Sequence, residues 1–157
     1  MQAAQVLQEP QAEIQMNGGR YILFYDGVCV MCNDGLEFIT ENDRQDLFRF
    51  APVQSRFAQE LLTRHGRNAA DLDTVYIVID YGTPRERFVW KHKAVTFMMS
   101  QLGWRFWLMS KLMGLVPTAL GDWNYDRSAR TRYERYGKYD ACPMPPPEVR
   151  RKLLTLA

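Results

Sequence analysis

The chain has 157 residues, 18.4 kDa, with 46% hydrophobic and 24% charged residues, which suits one globular domain with a real core. A net charge of +2 without a long basic run argues against nucleic acid as a partner. The first nineteen residues carry no Lys or Arg ahead of an apolar stretch, and no window approaches the roughly 18 apolar residues of a membrane span, so neither a secretory signal nor a transmembrane segment is expected and the expected compartment is the cytoplasm.

Residues 1–19 are Gln-rich, end in Asn17-Gly18-Gly19, and read as a flexible tail ahead of a single domain over 20–157. Tyr21-Ile22-Leu23-Phe24-Tyr25 is a continuous apolar, β-rich run, as suits a strand covered on both faces. It stops at the turn signal Asp26-Gly27. From Cys29 to about Asn42, Met31, Leu36, Phe38 and Ile39 suit a helix, despite Gly35 in its interior. Leu47-Phe48-Arg49-Phe50 reads as a second strand ended by Pro52. A helix is expected from Gln54 to His65, stopped by Gly66.

Thr74 to Ile79 is the strongest strand signal, and Arg87-Phe88-Val89-Trp90 is its hairpin partner across Asp80 to Pro84. The order β-α-β-α-β-β requires an α/β fold with a mixed sheet flanked by helices. Helices then follow over His92–Leu102, over 104–116 and over Trp123–Gly137, and Glu148–Leu156 closes with a helical turn or more. The segment 104–116 is rich in aromatic residues and Met. It reads as a helix covering a sheet face in preference to one lying on a membrane surface, because Arg105 and Lys111 alone make a poor polar face.

Three cysteines are too few, and odd in number, for a disulfide-stapled secreted scaffold, so a close thiol pair reads as a catalytic or metal site. Cys29 and Cys32 stand at i and i+3, directly after the first strand and at the start of the first helix. There the unpaired N–H groups and the helix dipole favour a thiolate. Cys29, nearer the helix start, is the expected nucleophile. Cys32, expected to lie deeper, resolves the mixed disulfide. Asp26 is either a turn cap or a carboxylate able to take the Cys32 proton. A zinc site would need two more ligands, for which Cys142 and His92 are the candidates without motif support.

Asp26-Gly27-Val28-Cys29-Val30-Met31-Cys32 resembles the Asp-x-x-Cys-x-x-Cys signature of the DCC family of thiol–disulfide oxidoreductases. Asp122-Trp123-Asn124-Tyr125, the segment Ala129 to Gly137, and Cys142-Pro143 are similar to the family's C-terminal Tyr/Arg segment and its Cys-Pro. The resemblance covers about residues 20 to 145. It implies a thioredoxin-like fold and dithiol–disulfide exchange; with the helices read after the hairpin and the missing metal-ligand set, the expectation is a thioredoxin-like domain with an extra helical C-terminal segment, no bound cofactor or metal, and a protein or small-molecule thiol or disulfide as partner. Two departures from ordinary thioredoxins stand out. Asp71-Leu72-Asp73, ahead of the third strand, offers no Pro where thioredoxins place a cis-Pro, and Val30-Met31 replaces Gly-Pro between the cysteines. The alternative reading is a metal- or partner-binding module using Cys29, Cys32 and Cys142. Cys142 is either an idle thiol or a third redox centre, and Arg127, Arg130, Arg132 and Arg135 read as a solvated helix face.

Overall fold

A computed structural model describes residues 16–154. Most of the expected tail, and the last residues of the expected C-terminal helix, lie outside the described residues. The elements are β1 (Tyr21–Tyr25), α1 (Val30–Asn42), β2 (Phe48–Pro52), α2 (Arg56–Arg64), β3 (Tyr76–Ile79), β4 (Arg87–Trp90), α3 (Lys91–Ser100), α4 (Trp104–Gly114), α5 (Thr118–Tyr136) and α6 (Pro147–Arg150).

The strands form one mixed sheet in the order β2-β1-β3-β4. β1 runs parallel to β2, with Tyr21 opposite Phe48, and antiparallel to β3, with Tyr21 opposite Ile79. The parallel pair needs a crossover, which α1 supplies. This mixed sheet flanked by helices is the expected α/β arrangement and is consistent with a thioredoxin-like fold.

Every residue of β1 is buried, because the strand is interior and covered on both faces. Tyr21, Leu23 and Tyr25 pack with Leu36 and Ile39 of α1 and Ala94 of α3, while Ile22 and Phe24 pack with Phe57, Leu61 and Leu62 of α2. Ser55 caps α2 by accepting the Ala58 N–H at 3.2 Å. α5 packs across α1 and α3. It begins at Thr118, after Pro117, and so earlier than the Trp123 start expected from sequence.

The closing segment docks beside β2, where Phe50 donates to the Lys152 carbonyl (3.0 Å) and accepts from the Leu154 N–H (2.8 Å). α6 is a single turn, within the turn or more expected, and the chain then runs extended along the sheet edge.

The segment 104–116 departs most from expectation. α3 already occupies the sheet face, so α4 packs on α3 as an outer layer and buries only Ser110. Trp104 is 73% exposed and Leu115 80%. Gly103, at φ +116°, makes the turn between the two helices with a backbone geometry that other residues rarely adopt.

Candidate active site

The site forms where β1 hands the chain to α1. Cys29 is the N-cap of α1, in extended conformation, and its Sγ accepts the Cys32 N–H at 3.2 Å, a task usually given to Ser or Asp. The Asn33 side chain fastens the loop beneath by donating to the carbonyls of Gly27 (3.0 Å) and Cys29 (2.9 Å). The Cys29 thiol is brought down to about 6, first by the hydrogen bond from the Cys32 side chain. Burial opposes this, while the Cys32 N–H and the Arg132 guanidinium assist and the Asp26 carboxylate opposes. The Cys32 thiol is driven upward, first by that same bond to Cys29 and then by burial. One sulfur is thus prepared as a thiolate and the other keeps its proton.

Solvent exposure runs opposite to the expected depth. Cys29 is 0% exposed, whereas Cys32 is half-buried and lines a cavity. The cover over Cys29 is the segment following α5: Val30 donates to the Gly137 carbonyl (3.4 Å), and Tyr139 donates to the Val28 carbonyl (2.8 Å). Sequence spacing orders the two thiols along the helix but carries no information about this strap from the far end of the chain.

Asp26 is buried. Its Oδ1 accepts from the Val28 N–H (3.2 Å) and from Gln54 Nε2 (2.7 Å), and its Oδ2 accepts from an Arg132 N–H (2.9 Å) and from the Tyr133 hydroxyl. The turn-capping bond is therefore present, inside a larger ion-pair network. Burial raises this carboxyl, but the bonds from Tyr133, Arg132, Gln54 and Val28 outweigh it and hold Asp26 below its ordinary value. Its four lone-pair sites are all occupied.

Arg132 is 3% exposed, which corrects the reading of its helix face as wholly solvated, while Arg127, Arg130 and Arg135 are exposed as expected. It pairs with Asp26 at 2.9 Å and with Asp73 at 2.8 Å, and it donates to the Leu72 carbonyl at 3.0 Å. The signal was available, because Arg132 follows Ala129 by three positions and so falls beside the buried Ala129 on the inner face of α5. Tyr133 lies in the Tyr/Arg segment of the family resemblance, while Gln54 and Asn33 carry no sequence signal and only the three-dimensional network reveals them. Tyr125 ties α5 to the loop before β3, accepting the Val75 N–H (2.9 Å) and donating to the Asp73 carbonyl (3.1 Å).

Cys142 is brought to the site. A Cβ at Gly27 would meet its sulfur, which would then have to shift. All three cysteines are free thiols. His92, the other candidate zinc ligand, lies elsewhere, between α3 and α5, with a ring nitrogen 3.1 Å from the Met113 carbonyl. Among the described residues no group of three or more His, Cys, Asp or Glu side chains is placed to hold a metal ion. No helix among them is long and apolar enough to cross a membrane.

Fold and site together define an α/β chain, consistent with a thioredoxin-like fold, with a Cys-x-x-Cys pair at the N-terminus of its first helix. The chain belongs to the DCC1-like thiol-disulfide oxidoreductase family, whose model matches residues 23–138. It is 31% identical over 125 residues to a chloroplastic DCC family protein of Arabidopsis thaliana, covering 80% of this chain and 70% of that one. It is 29% identical over 133 residues to the uncharacterized protein YuxK of Bacillus subtilis, covering 85% of this chain and 93% of that one. No solved structure matches the chain.

Proposed function

We propose that the chain performs dithiol–disulfide exchange with a protein or small-molecule thiol or disulfide, Cys29 attacking and Cys32 resolving. The observation that carries this reading is the Cys29 sulfur at the helix N-cap, accepting the Cys32 N–H. The Cys29 thiolate attacks one sulfur of the substrate disulfide, and the other leaves as a thiolate. Cys32 then attacks the Cys29 sulfur, its proton passes to a departing substrate sulfur, and the protein is left as the Cys29–Cys32 disulfide. The substrate gains two electrons from the protein and two protons, one from Cys32 and one from solvent, and the reverse sequence oxidises a dithiol. With its lone pairs filled, Asp26 is best read as a positioning residue that holds Arg132 and the loop carrying Cys29. A reducing compartment such as the cytoplasm would keep the pair ready as thiols.

The test is a Cys32→Ser variant exposed to disulfide substrates. It should accumulate a mixed disulfide on Cys29, and the mildly oxidised wild type should yield a Cys29–Cys32 peptide. A mixed disulfide on Cys32 in Cys29→Ser, with none on Cys29 in Cys32→Ser, would reverse the roles.

A further inference from the structure

Beside Cys32 lies a cavity of about 330 Å³, within the range of small-ligand sites. Its wall includes Met31, Phe38, Leu72, Val95 and Met98, together with Gly35 of α1. Its charged residues, Asp26, Asp73 and Arg132, are engaged with one another, so no free cation awaits a carboxylate. Gly35 stands out. A glycine inside a helix costs about 1 kcal/mol relative to alanine, yet nothing lies within 4 Å of a Cβ built there. No neighbour demands the missing side chain; what its absence preserves is open space next to the sulfur of Cys32.

We infer that this cavity is the substrate pocket, and that the substrate is an uncharged disulfide, or the corresponding thiol, with an apolar group on sulfur. This rests on the exchange chemistry proposed above and narrows its substrate class. The apolar group lies between α1 and the loop before β3, with its sulfur toward Cys32, the member of the pair that lines the cavity. Glutathione disulfide, with its several carboxylates, is disfavoured because they would lose water without gaining a partner.

The test uses Gly35→Leu, which adds volume where the fold has room and removes a helix glycine, so folding is not at risk. Rates with dipyridyl disulfide and glutathione disulfide are each normalised to the rate with dithiothreitol. The wild type should favour the dipyridyl compound, and Gly35→Leu should lose about tenfold or more of that preference. Independently of exchange, the Cys29→Ser chain should bind the neutral fluorophore phenylnaphthylamine, and Cys29→Ser/Gly35→Leu should bind it at least about tenfold more weakly. Equal preference and equal binding overturn the pocket while exchange stands. Fluorophore binding that Gly35→Leu blocks, with no exchange on any disulfide, overturns the disulfide assignment and the reading beneath it.

A separate observation concerns α4 and the start of α5. Three of the four tryptophans, Trp104, Trp107 and Trp123, are 73%, 48% and 58% exposed, alongside Leu108, Leu112 and Leu115. Each ring carries a cation: Arg105 over Trp104, Lys111 over Trp107, and Arg127 over Trp123. α4 contains no acidic residue. Among the described residues, none of these three cations is paired with a carboxylate. Apolar bulk, interfacial aromatics and unneutralised positive charge along α4, continued by Trp123 and Arg127 in α5, are the combination that suits an anionic lipid surface.

We propose that this face docks on anionic phospholipid membranes, with α4 lying in the interface. The protein should sediment with vesicles of equal parts phosphatidylglycerol and phosphatidylcholine, with a blue shift in tryptophan emission, and only weakly with phosphatidylcholine alone. Leu112→Glu, a change at a 63% exposed position, should abolish sedimentation without altering the melting temperature. Failure to sediment with the anionic vesicles overturns the proposal, as does undiminished binding by Leu112→Glu. Self-association that Leu112→Glu abolishes, without vesicle binding, assigns the face to a second copy of the chain.

Discussion

Asp26 and the Cys29 thiolate both draw on the positive charge of Arg132, and Asp26 holds it by direct hydrogen bond. Replacing Asp26 by Asn removes the anion that opposes thiolate formation, so alkylation of Cys29 below pH 7 should be equal to or faster than in wild type. The same change leaves Arg132 short of a buried partner, and the melting curve should report a loss of about 3 kcal/mol. Because the Asp26 carboxyl is depressed in the folded state, its stabilisation is fully present above the ordinary carboxylate value. It is lost as pH falls through the folded one, so Asp26→Asn should flatten the acid limb of the stability profile. The Cys29 thiol, held at about 6, obeys the same sign: it stabilises the reduced protein fully above the free-thiol value and loses this as pH falls through about 6. Iodoacetamide modification of Cys29 should therefore rise through pH about 6, well below the free-cysteine value of about 8.5; a midpoint above 8 would reject the thiolate assignment.

Two connecting elements set how the pair is reached. The strap after α5 covers Cys29 and turns at Gly137, whose φ of +96° favours glycine. Gly137→Ala should strain and loosen the strap at a cost of about 1 kcal/mol. It should also speed Cys29 alkylation without moving the pH midpoint; an unchanged rate would show that the strap does not limit access. The loop before β3 presents Leu72 to Val75 to the cavity that Cys32 lines and has no proline there. Lacking the proline that docks substrate chains in thioredoxins, the protein should reduce insulin much more slowly than an ordinary thioredoxin under the same reductant. Element positions were largely legible from the sequence: β1 and β4 occupy the expected residues, and α1 begins at Val30 with Cys29 as its cap. α4 was legible as a helix but not in its packing, because its periodicity cannot say that α3 already fills the sheet face.

Across the whole molecule, the closing segment is fastened to the loop after α1 by buried charge. Lys152 is 2% exposed and meets Asp43 at 2.8 Å and Asp46 at 3.1 Å, while Asp43 also accepts the N–H groups of Leu47 (3.0 Å) and Phe48 (2.9 Å). Removing one partner of a buried pair costs more than the pair contributes, so Lys152→Met should destabilise by about 3–5 kcal/mol. Part of this should return in Lys152→Met/Asp43→Asn, as chemical denaturation would show.

The sequence by itself determined the alternation of strands and helices, the mixed sheet, and the placement of the Cys29–Cys32 pair at a helix start beside Asp26. Those features follow from residue spacing, turn chemistry and capping within a few positions of the chain. Only the tertiary structure decided that Arg132, 106 residues from Asp26, becomes its buried partner, that Cys142 rests against Gly27, and that Cys29 is covered while Cys32 meets a cavity. Such contacts depend on how α5 and the closing segment pack back across α1 and the sheet edge, a global balance of burial and charge pairing that no local pattern encodes.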